Sequence, residues 1–121
     1  MPNRILFVDD EAPIRELLTL FFRKKGIEVT SAVSASEALE LSRGARHDLA
    51  IVDVNLAGEN GLELMVNLKR ENPAMPVIIF TGLTGDETLL QEALARGADG
   101  FMRKTEPLSG LYEEVRRRLP Q

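Results

Sequence analysis

The chain contains no cysteine and no tryptophan, and it has one tyrosine and one histidine among its 121 residues. Without cysteine there can be no disulfide framework and no thiolate metal site, which fits a reducing compartment. No apolar run approaches the roughly 20 residues that a membrane-spanning helix needs. The amino-terminal residues lack the pattern of a secretory signal peptide. These absences predict a soluble cytoplasmic protein without a membrane partner.

Nucleotide-binding and nucleic-acid-binding signatures are also missing. The glycines at positions 58, 61, 82 and 85 match neither G-x-G-x-x-G nor G-x-x-x-x-G-K-[ST]. The net charge of −4 disfavours non-specific binding to nucleic acid, so we expect no direct nucleic-acid contact by this domain. The length suits one domain, and the apolar content of 44% is enough for a core. We therefore expect a single domain over residues 1–121.

Five apolar stretches alternate with five amphipathic stretches along the chain. Strict alternation of strands and helices is typical of a doubly wound parallel sheet with helices on both faces. The second apolar stretch, 27–31, alternates apolar and polar residues, which suits an edge strand. The sequence thus predicts an α/β protein with a five-stranded parallel sheet in the order 2-1-3-4-5, which is flavodoxin-like.

Several local expectations accompany this fold. The first helix should place Leu17 and Leu18 on its inward face and end before Gly26. Ser34 or Ser36 can cap the second helix. Residues 55–61 and 83–85 are expected to be loops, and His47 is expected to be a solvent-exposed loop residue.

Polar side chains follow four of the predicted strands at the point where each strand ends. The third strand ends in a lone carboxylate, Asp53, and in open α/β sheets the chemistry lies at this edge. The residues that follow the first, fourth and fifth strands are Asp9 and Asp10, Thr81, and Lys104. Because parallel strands share one carboxyl edge, these groups should converge.

The chemistry of such a cluster points to a metal ion and a phosphoryl group. Neighbouring carboxylates repel, so a cation is needed if all are to stay charged. Oxygen ligands without histidine or cysteine favour Mg²⁺, for which Mn²⁺ can substitute. Asp10 and Asp53 can bind it, and Asn55 can add its backbone carbonyl. Lys104 can pair with a carboxylate or a phosphoryl oxygen, and Thr81 can donate a hydrogen bond. These are the parts for phosphoryl transfer to Asp53.

Each of these residues also has an ordinary structural interpretation. Asp10 could simply cap the following helix, Lys104 could be a surface charge, and Thr81 could be a turn residue. The joint occurrence of the groups at four strand ends favours a functional site.

The residues at the strand ends resemble those of the receiver domain of bacterial two-component response regulators. The matching residues are Asp9-Asp10-Glu11, Asp53, Thr81-Gly82 and Lys104, and the likeness extends over residues 4–119. Two segments, 53–61 and 97–104, are similar to those around the family's acceptor and lysine. Proline is usual in the family at the positions of Ala57 and Thr105.

The resemblance implies a function for several residues. Asp53 would accept a phosphoryl group from the phosphohistidine of a sensor histidine kinase or a phosphotransfer protein. Asp9, Asp10, Asp53 and the Asn55 carbonyl would hold Mg²⁺. Thr81 and Phe101 would form a switch pair. The face made by the fourth helix, fifth strand and fifth helix would then bind a downstream protein, an effector domain or a second copy of the chain.

Two other functions stay open at this point. A receiver-like adaptor would bind partners without phosphorylation, but it would be expected to lack an acid or the lysine, and this chain lacks neither. A Mg²⁺-dependent phosphohydrolase with an Asp nucleophile would need a second acid and a cap over its substrate. Asn55 stands two places after Asp53, and no insertion is long enough for a cap. We therefore expect chemistry only on the chain itself, and no enzyme.

Overall fold

The computed structural model describes residues 2–56, 58–82 and 87–120. Its elements, in chain order, are β1 (Arg4–Val8), α1 (Ala12–Lys24), β2 (Glu28–Ala32), α2 (Ala35–Gly44), β3 (Leu49–Val52), α3 (Gly61–Glu71), β4 (Val77–Thr81), α4 (Glu87–Ala95), β5 (Gly100–Arg103) and α5 (Leu108–Arg118). Between β3 and α3, the short strands Asn55–Leu56 and Glu59–Asn60 pair with each other; we call them the β3–α3 hairpin.

The main sheet has five parallel strands in the order β2-β1-β3-β4-β5. This confirms the predicted fold class and strand order. The central strand β3 is buried at every position, whereas the edge strand β2 is buried only at Ala32. A central strand is covered on both faces, so its apolar run is continuous, and an edge strand can alternate.

Helices cover both faces of the sheet. In β1, Leu6 and Val8 pack on the side of α2, α3 and α4, while Ile5 and Phe7 pack on the side of α1 and α5. Successive strand residues point to opposite faces, so each strand contributes to two apolar layers. The carboxyl ends of all five strands are thereby left at one open edge. In the described ranges, no helix has both the length and the apolar character that crossing a bilayer requires.

The signals at the helix ends act as expected. Gly26 follows the end of α1 with φ of +79°, and the Ile27 N–H donates to the Phe22 carbonyl at 2.9 Å. A left-handed glycine just past a helix end is the usual way to close such a turn. Of the two serines considered for α2, Ser34 is the cap, because its Oγ accepts a hydrogen bond from the Glu37 N–H.

Two expectations about burial are wrong. Leu17 is 49% exposed, because Leu18 and Phe22, four residues apart on one face of α1, fill the inward stripe. His47 is 4% exposed rather than solvated. Its Nδ1 lies 3.1 Å from the Ala45 carbonyl, and burial lowers the pKa of the imidazole. The ring lines a cleft at the amino edge of the sheet together with Met75 and Leu119, which a local pattern could not reveal.

The expected loop 55–61 is more ordered than predicted. Its ends pair as the β3–α3 hairpin, Gly58 takes a φ of +81° in the turn, and Leu56 is buried. The helix α3 begins at Gly61 itself. The expected loop 83–85 and the position of Ala57 lie outside the described residues.

Candidate functional site

Asp9, Asp53 and Lys104, which each directly follow a strand, are held by backbone hydrogen bonds to the neighbouring strand. The Asp9 N–H donates to the Ala32 carbonyl of β2 at 3.1 Å, and the Asp53 N–H donates to the Val8 carbonyl of β1 at 3.0 Å. The Lys104 N–H donates to the Thr81 carbonyl of β4 at 2.7 Å. The sheet's own ladder therefore holds the starting point of each side chain, which is a rigid support for a site.

Lys104 lies at the centre of the cluster. Its Nζ lies 2.8 Å from Asp9 Oδ2, 2.9 Å from Asp53 Oδ2 and 3.3 Å from Glu11 Oε1. The side chains of Asp9 and Asp53 are 0% and 4% exposed. A half-buried ammonium is thus paired with two buried carboxylates, as buried charges must be. Glu11 was among the residues that carry the family resemblance, but no function was predicted for it; it directly follows Asp10 at the same strand end.

Burial and pairing act on the acid–base properties of the cluster in opposite ways. Burial by itself would lower the pKa of Lys104, but Asp9 and Asp53 raise it above its usual value, so the ammonium stays charged. Burial raises the pKa of Asp53 above its usual range, and the hydrogen bond from Lys104 opposes this only in part. One ammonium therefore does not fully compensate the acids around it.

The acids are close enough to share a cation. One carboxylate oxygen from each of Asp9, Asp10, Glu11 and Asp53 lies within 4.8 Å of the others. Asp9 Oδ2 is fully buried and takes no hydrogen bond of acceptable angle, although Lys104 Nζ is 2.8 Å away. An all-oxygen donor set with a buried, incompletely satisfied carboxylate oxygen fits a hard divalent cation.

A small cleft of about 220 Å³ gives access to the cluster. It is lined by Asp10, Glu11, Asp53, Asn55, Gly82 and Lys104. Asn55 is held beside the acceptor, because its N–H donates to Asp53 Oδ1 at 3.2 Å. The structure thus brings together the predicted acids, the lysine and Asn55. The N-cap position of α1 is held by Glu11 rather than Asp10, and the Glu11 side chain makes no capping hydrogen bond.

Thr81 and Phe101 lie on neighbouring strands. Thr81 is the buried last residue of β4, and Phe101 of β5 pairs with Ile79, two residues before it. Alternate strand residues share a face, so Thr81 points to the same side as Ile79. The half-buried Phe101 packs against the apolar cluster on that side, and the Arg103 guanidinium lies 5.9 Å from its ring centre. The two residues are therefore on one face of adjacent strands.

A close backbone contact that was not predicted joins the start of α3 to the backbone of Asp53. A Cβ atom at Gly61 would lie 2.0 Å from the Asp53 carbonyl oxygen, so the helix α3 starts in direct contact with the acceptor's backbone. The sequence signal was a glycine eight residues after Asp53, but its spacing alone does not reveal the contact.

The raised pKa of Asp53 predicts a pH-dependent effect of Asp53→Asn on stability. The folded state holds this proton more strongly than the unfolded chain, so the wild type loses stability as pH rises from the usual aspartate range through the folded pKa. We expect Asp53→Asn to be more stable than wild type at neutral pH without divalent cations. The difference should shrink as the pH falls to where the carboxyl is protonated in both states.

Urea unfolding over a pH series in the presence of a chelator measures this effect. Glu63→Gln, at an exposed acid of α3, is the matched control and should show no such trend. If the difference in unfolding free energy between Asp53→Asn and wild type does not vary with pH, burial does not raise the pKa of Asp53.

The fold and the site define a flavodoxin-like α/β protein whose carboxyl edge gathers several acids around one lysine. The family model of the response regulator receiver domain matches residues 5–116, and the chain belongs to that family. Among curated relatives, the sporulation initiation phosphotransferase F of Bacillus subtilis (strain 168) is 31% identical over 120 residues, which cover 99% of this chain and 96% of that protein.

A second curated relative is longer than this chain. The probable transcriptional regulatory protein TcrX of Mycobacterium tuberculosis (strain ATCC 25618 / H37Rv) is 34% identical over 118 residues, which cover 98% of this chain and 48% of that protein. The chain spans from about a third to about half of the length of several such relatives. Among solved structures, the response regulator TrrA of Thermotoga maritima, in complex with Mg²⁺-BeF, has a TM-score of 0.86 and 31% identity, with 97% of this chain and 99% of that chain covered.

Proposed function

We propose that the chain is a phosphorylation-activated signalling receiver in which Asp53 accepts a phosphoryl group. The donor would be the phosphohistidine of a sensor histidine kinase or of a phosphotransfer protein. One observation carries the proposal: Lys104 Nζ bridges the buried carboxylates of Asp9 and Asp53 inside an acid cluster at the end of a buried strand. Perturbed, paired charges in a cleft are a feature of functional sites. Membership of the receiver family supports the same assignment.

The transfer uses Asp53 as the nucleophile. A bond forms between a carboxylate oxygen of Asp53 and phosphorus as the bond between phosphorus and the donor's ring nitrogen breaks. The electron pair of the broken bond stays with the donor imidazole, which takes up a proton. Lys104 is already 2.9 Å from Asp53 Oδ2, so it places positive charge where the phosphoryl oxygens arrive. Thr81 would donate its hydroxyl to another phosphoryl oxygen.

Asp9, Asp10, Asp53 and the Asn55 carbonyl would hold Mg²⁺, with Mn²⁺ as a substitute. When bound, the ion would supply the charge neutralisation that one lysine leaves incomplete. The donor set fits because four carboxylates lie within 4.8 Å of one another and Asp9 Oδ2 is buried without a well-angled hydrogen bond. The Mg²⁺-BeF complex of the Thermotoga maritima relative supports the proposal.

The output would be a shift in the face formed by α4, β5 and α5. Phosphorylated Asp53 would draw the Thr81 hydroxyl inward, and Phe101 would follow by turning toward the space that is vacated. Their placement on one face of adjacent strands supports this coupling. Such a step biases a two-state element by a local change of charge. A downstream protein, an effector domain or a second copy of the chain would read that face. We place this exchange in the cytoplasm, with chemistry on the chain itself rather than on an outside substrate.

The central test is exposure of wild type and Asp53→Ala to acetyl phosphate, or to beryllofluoride, with Mg²⁺. We expect a Mg²⁺-dependent adduct on wild type, detected by intact mass or by ¹⁹F NMR, and no adduct on Asp53→Ala. Modification of the variant to the same extent would refute the assignment of Asp53. In the beryllofluoride complex, amide shifts should also change at Phe101 and Met102. Changes confined to the cleft would refute the proposed switch.

A further inference from the structure

We propose that Glu59 is a positioning residue that holds the β3–α3 hairpin, and with it the backbone of Asn55, in place for metal binding. The inference rests on the proposed function, in which the Asn55 carbonyl is a metal ligand. It goes further by naming a residue outside the acid cluster that sets the position of one of the cluster's ligands.

The hairpin is well fixed at its base. Asn55 pairs with Asn60, and the Gly61 N–H donates to the Val54 carbonyl at 2.8 Å. The Asn60 side chain accepts a hydrogen bond from the Leu62 N–H at 2.8 Å and so caps α3. These contacts lie next to the start of α3, and Leu56 on the first strand of the hairpin is buried in the core.

Glu59 supplies a contact near this turn. Its Oε1 accepts a hydrogen bond from the Ala35 N–H at 3.0 Å, and Ala35 is the first residue of α2. The first N–H groups of a helix have no partner within the helix, and the helix dipole favours a carboxylate there. Ser34 Oγ serves a different donor, the Glu37 N–H, so the helix cap does not duplicate the contact of Glu59.

The segment from the end of β2 to the start of α2, to which Glu59 is hydrogen-bonded, also positions Asp9, another of the proposed metal ligands. The Ala32 carbonyl, at the end of β2, accepts the hydrogen bond from the Asp9 N–H at 3.1 Å. Three residues later, the Ala35 N–H holds Glu59. Asp9 and the hairpin are therefore positioned against the same corner between β2 and α2. A ligand's outer partners commonly determine its orientation and the affinity for the metal.

Loss of the hydrogen bond between Glu59 and Ala35 should weaken Mg²⁺ binding more than it lowers the rate of phosphoryl transfer to Asp53. Without Glu59, the hairpin keeps the contacts at its base and the buried side chain of Leu56 but loses its hydrogen bond to α2, so the Asn55 carbonyl is less well placed. Asp53 and Lys104 keep their positions, because the ladder of the main sheet holds them. A variant without this hydrogen bond should thus need more Mg²⁺ for half-saturation, while its rate of phosphorylation at saturating Mg²⁺ should be almost unchanged.

The test compares Glu59→Ala and Glu59→Gln with wild type. Mg²⁺ is titrated without a phosphoryl donor and followed by amide NMR shifts, and the rate of phosphorylation by acetyl phosphate is measured over the same Mg²⁺ range. We expect Glu59→Ala to raise the half-saturating Mg²⁺ concentration about 3- to 10-fold in both measurements. Glu59→Gln retains the acceptor oxygen and should stay within about twofold of wild type.

A matched variant separates positioning from the loss of charge. Glu63→Ala removes the same charge from an exposed site on α3. It should keep the wild-type Mg²⁺ requirement. The inference is overturned if Glu59→Ala binds Mg²⁺ like wild type, if Glu59→Gln is as weak as Glu59→Ala, or if wild type binds no Mg²⁺. If wild type binds Mg²⁺ but Asp53 is not phosphorylated, the proposed function fails while the NMR titration still decides the role of Glu59.

Discussion

Gly61→Ala is expected to destabilise the fold by about 3 kcal/mol and to slow phosphorylation of Asp53 about 100-fold. The added Cβ would lie 2.0 Å from the Asp53 carbonyl oxygen and 2.8 Å from the Asp53 carbonyl carbon. Both are backbone atoms, so no side chain can turn aside to make room. Either α3 moves outward or the acceptor's backbone moves, and each choice disturbs the cleft. Denaturant unfolding and the rate of modification by acetyl phosphate measure the two effects.

Gly44→Ala is the matched control for this prediction. Gly44 is the last residue of α2, a Cβ added there would meet no atom within 4 Å apart from its chain neighbours and its own helix, and the position has no positive φ. The same chemical change should there be neutral or slightly stabilising, because alanine loses less entropy than glycine in a helix. If Gly61→Ala unfolded with the free energy of wild type and were phosphorylated at the wild-type rate, the close approach of Gly61 to Asp53 would be unimportant.

Lys104→Met is expected to destabilise the protein by about 3 kcal/mol at neutral pH in the absence of divalent cations. The change keeps an unbranched side chain but removes the only ammonium that lies within 4 Å of both Asp9 and Asp53 in the described part of the chain. Two buried carboxylates would then face each other without compensation. Modification by acetyl phosphate should also slow about 100-fold, because a positive charge aimed at the reacting oxygens is lost.

Added Mg²⁺ distinguishes this explanation from a simple packing defect. A cation that binds only the folded state stabilises it, and it should restore more stability to Lys104→Met than it adds to wild type. Lys24→Met, which makes the same change on the exposed end of α1, should leave the unfolding free energy and its Mg²⁺ dependence unchanged. Equal Mg²⁺ effects on wild type and Lys104→Met would contradict the role assigned to the ammonium.

Much of the candidate site could be predicted because it depends on topology alone. Strand ends in a parallel sheet must share an edge, so residues as distant in sequence as Asp9 and Lys104 could be placed together from the alternation of strands and helices. Apolar continuity marked β3 as central, and its loss marked β2 as an edge. The apolar pattern of a strand is a local feature of the sequence, but it indicates where that strand lies in the sheet.

Other features depended on how the elements pack. The contact between Glu59 and Ala35 joins residues that are 24 positions apart, and neither stands in a pattern that implies the other. The burial of His47 depends on residues from other parts of the chain, such as Met75 and Leu119, which line a cleft with it. The exposure of Leu17 follows from which stripe of α1 meets the sheet. Hydrophobicity and spacing do not contain this information.

The amino-acid sequence by itself determined the five strand–helix units, their order in the sheet and the acids, hydroxyl and lysine at its carboxyl edge. Periodicity and residue type suffice for these, because they reflect burial and backbone preference within each element. Only the tertiary structure decided how the groups interact: Lys104 between Asp9 and Asp53, Gly61 against the acceptor's backbone, and Glu59 on the first N–H of α2. Such contacts are set by distances of a few ångströms between separate elements, which arise when the layers pack together and not before.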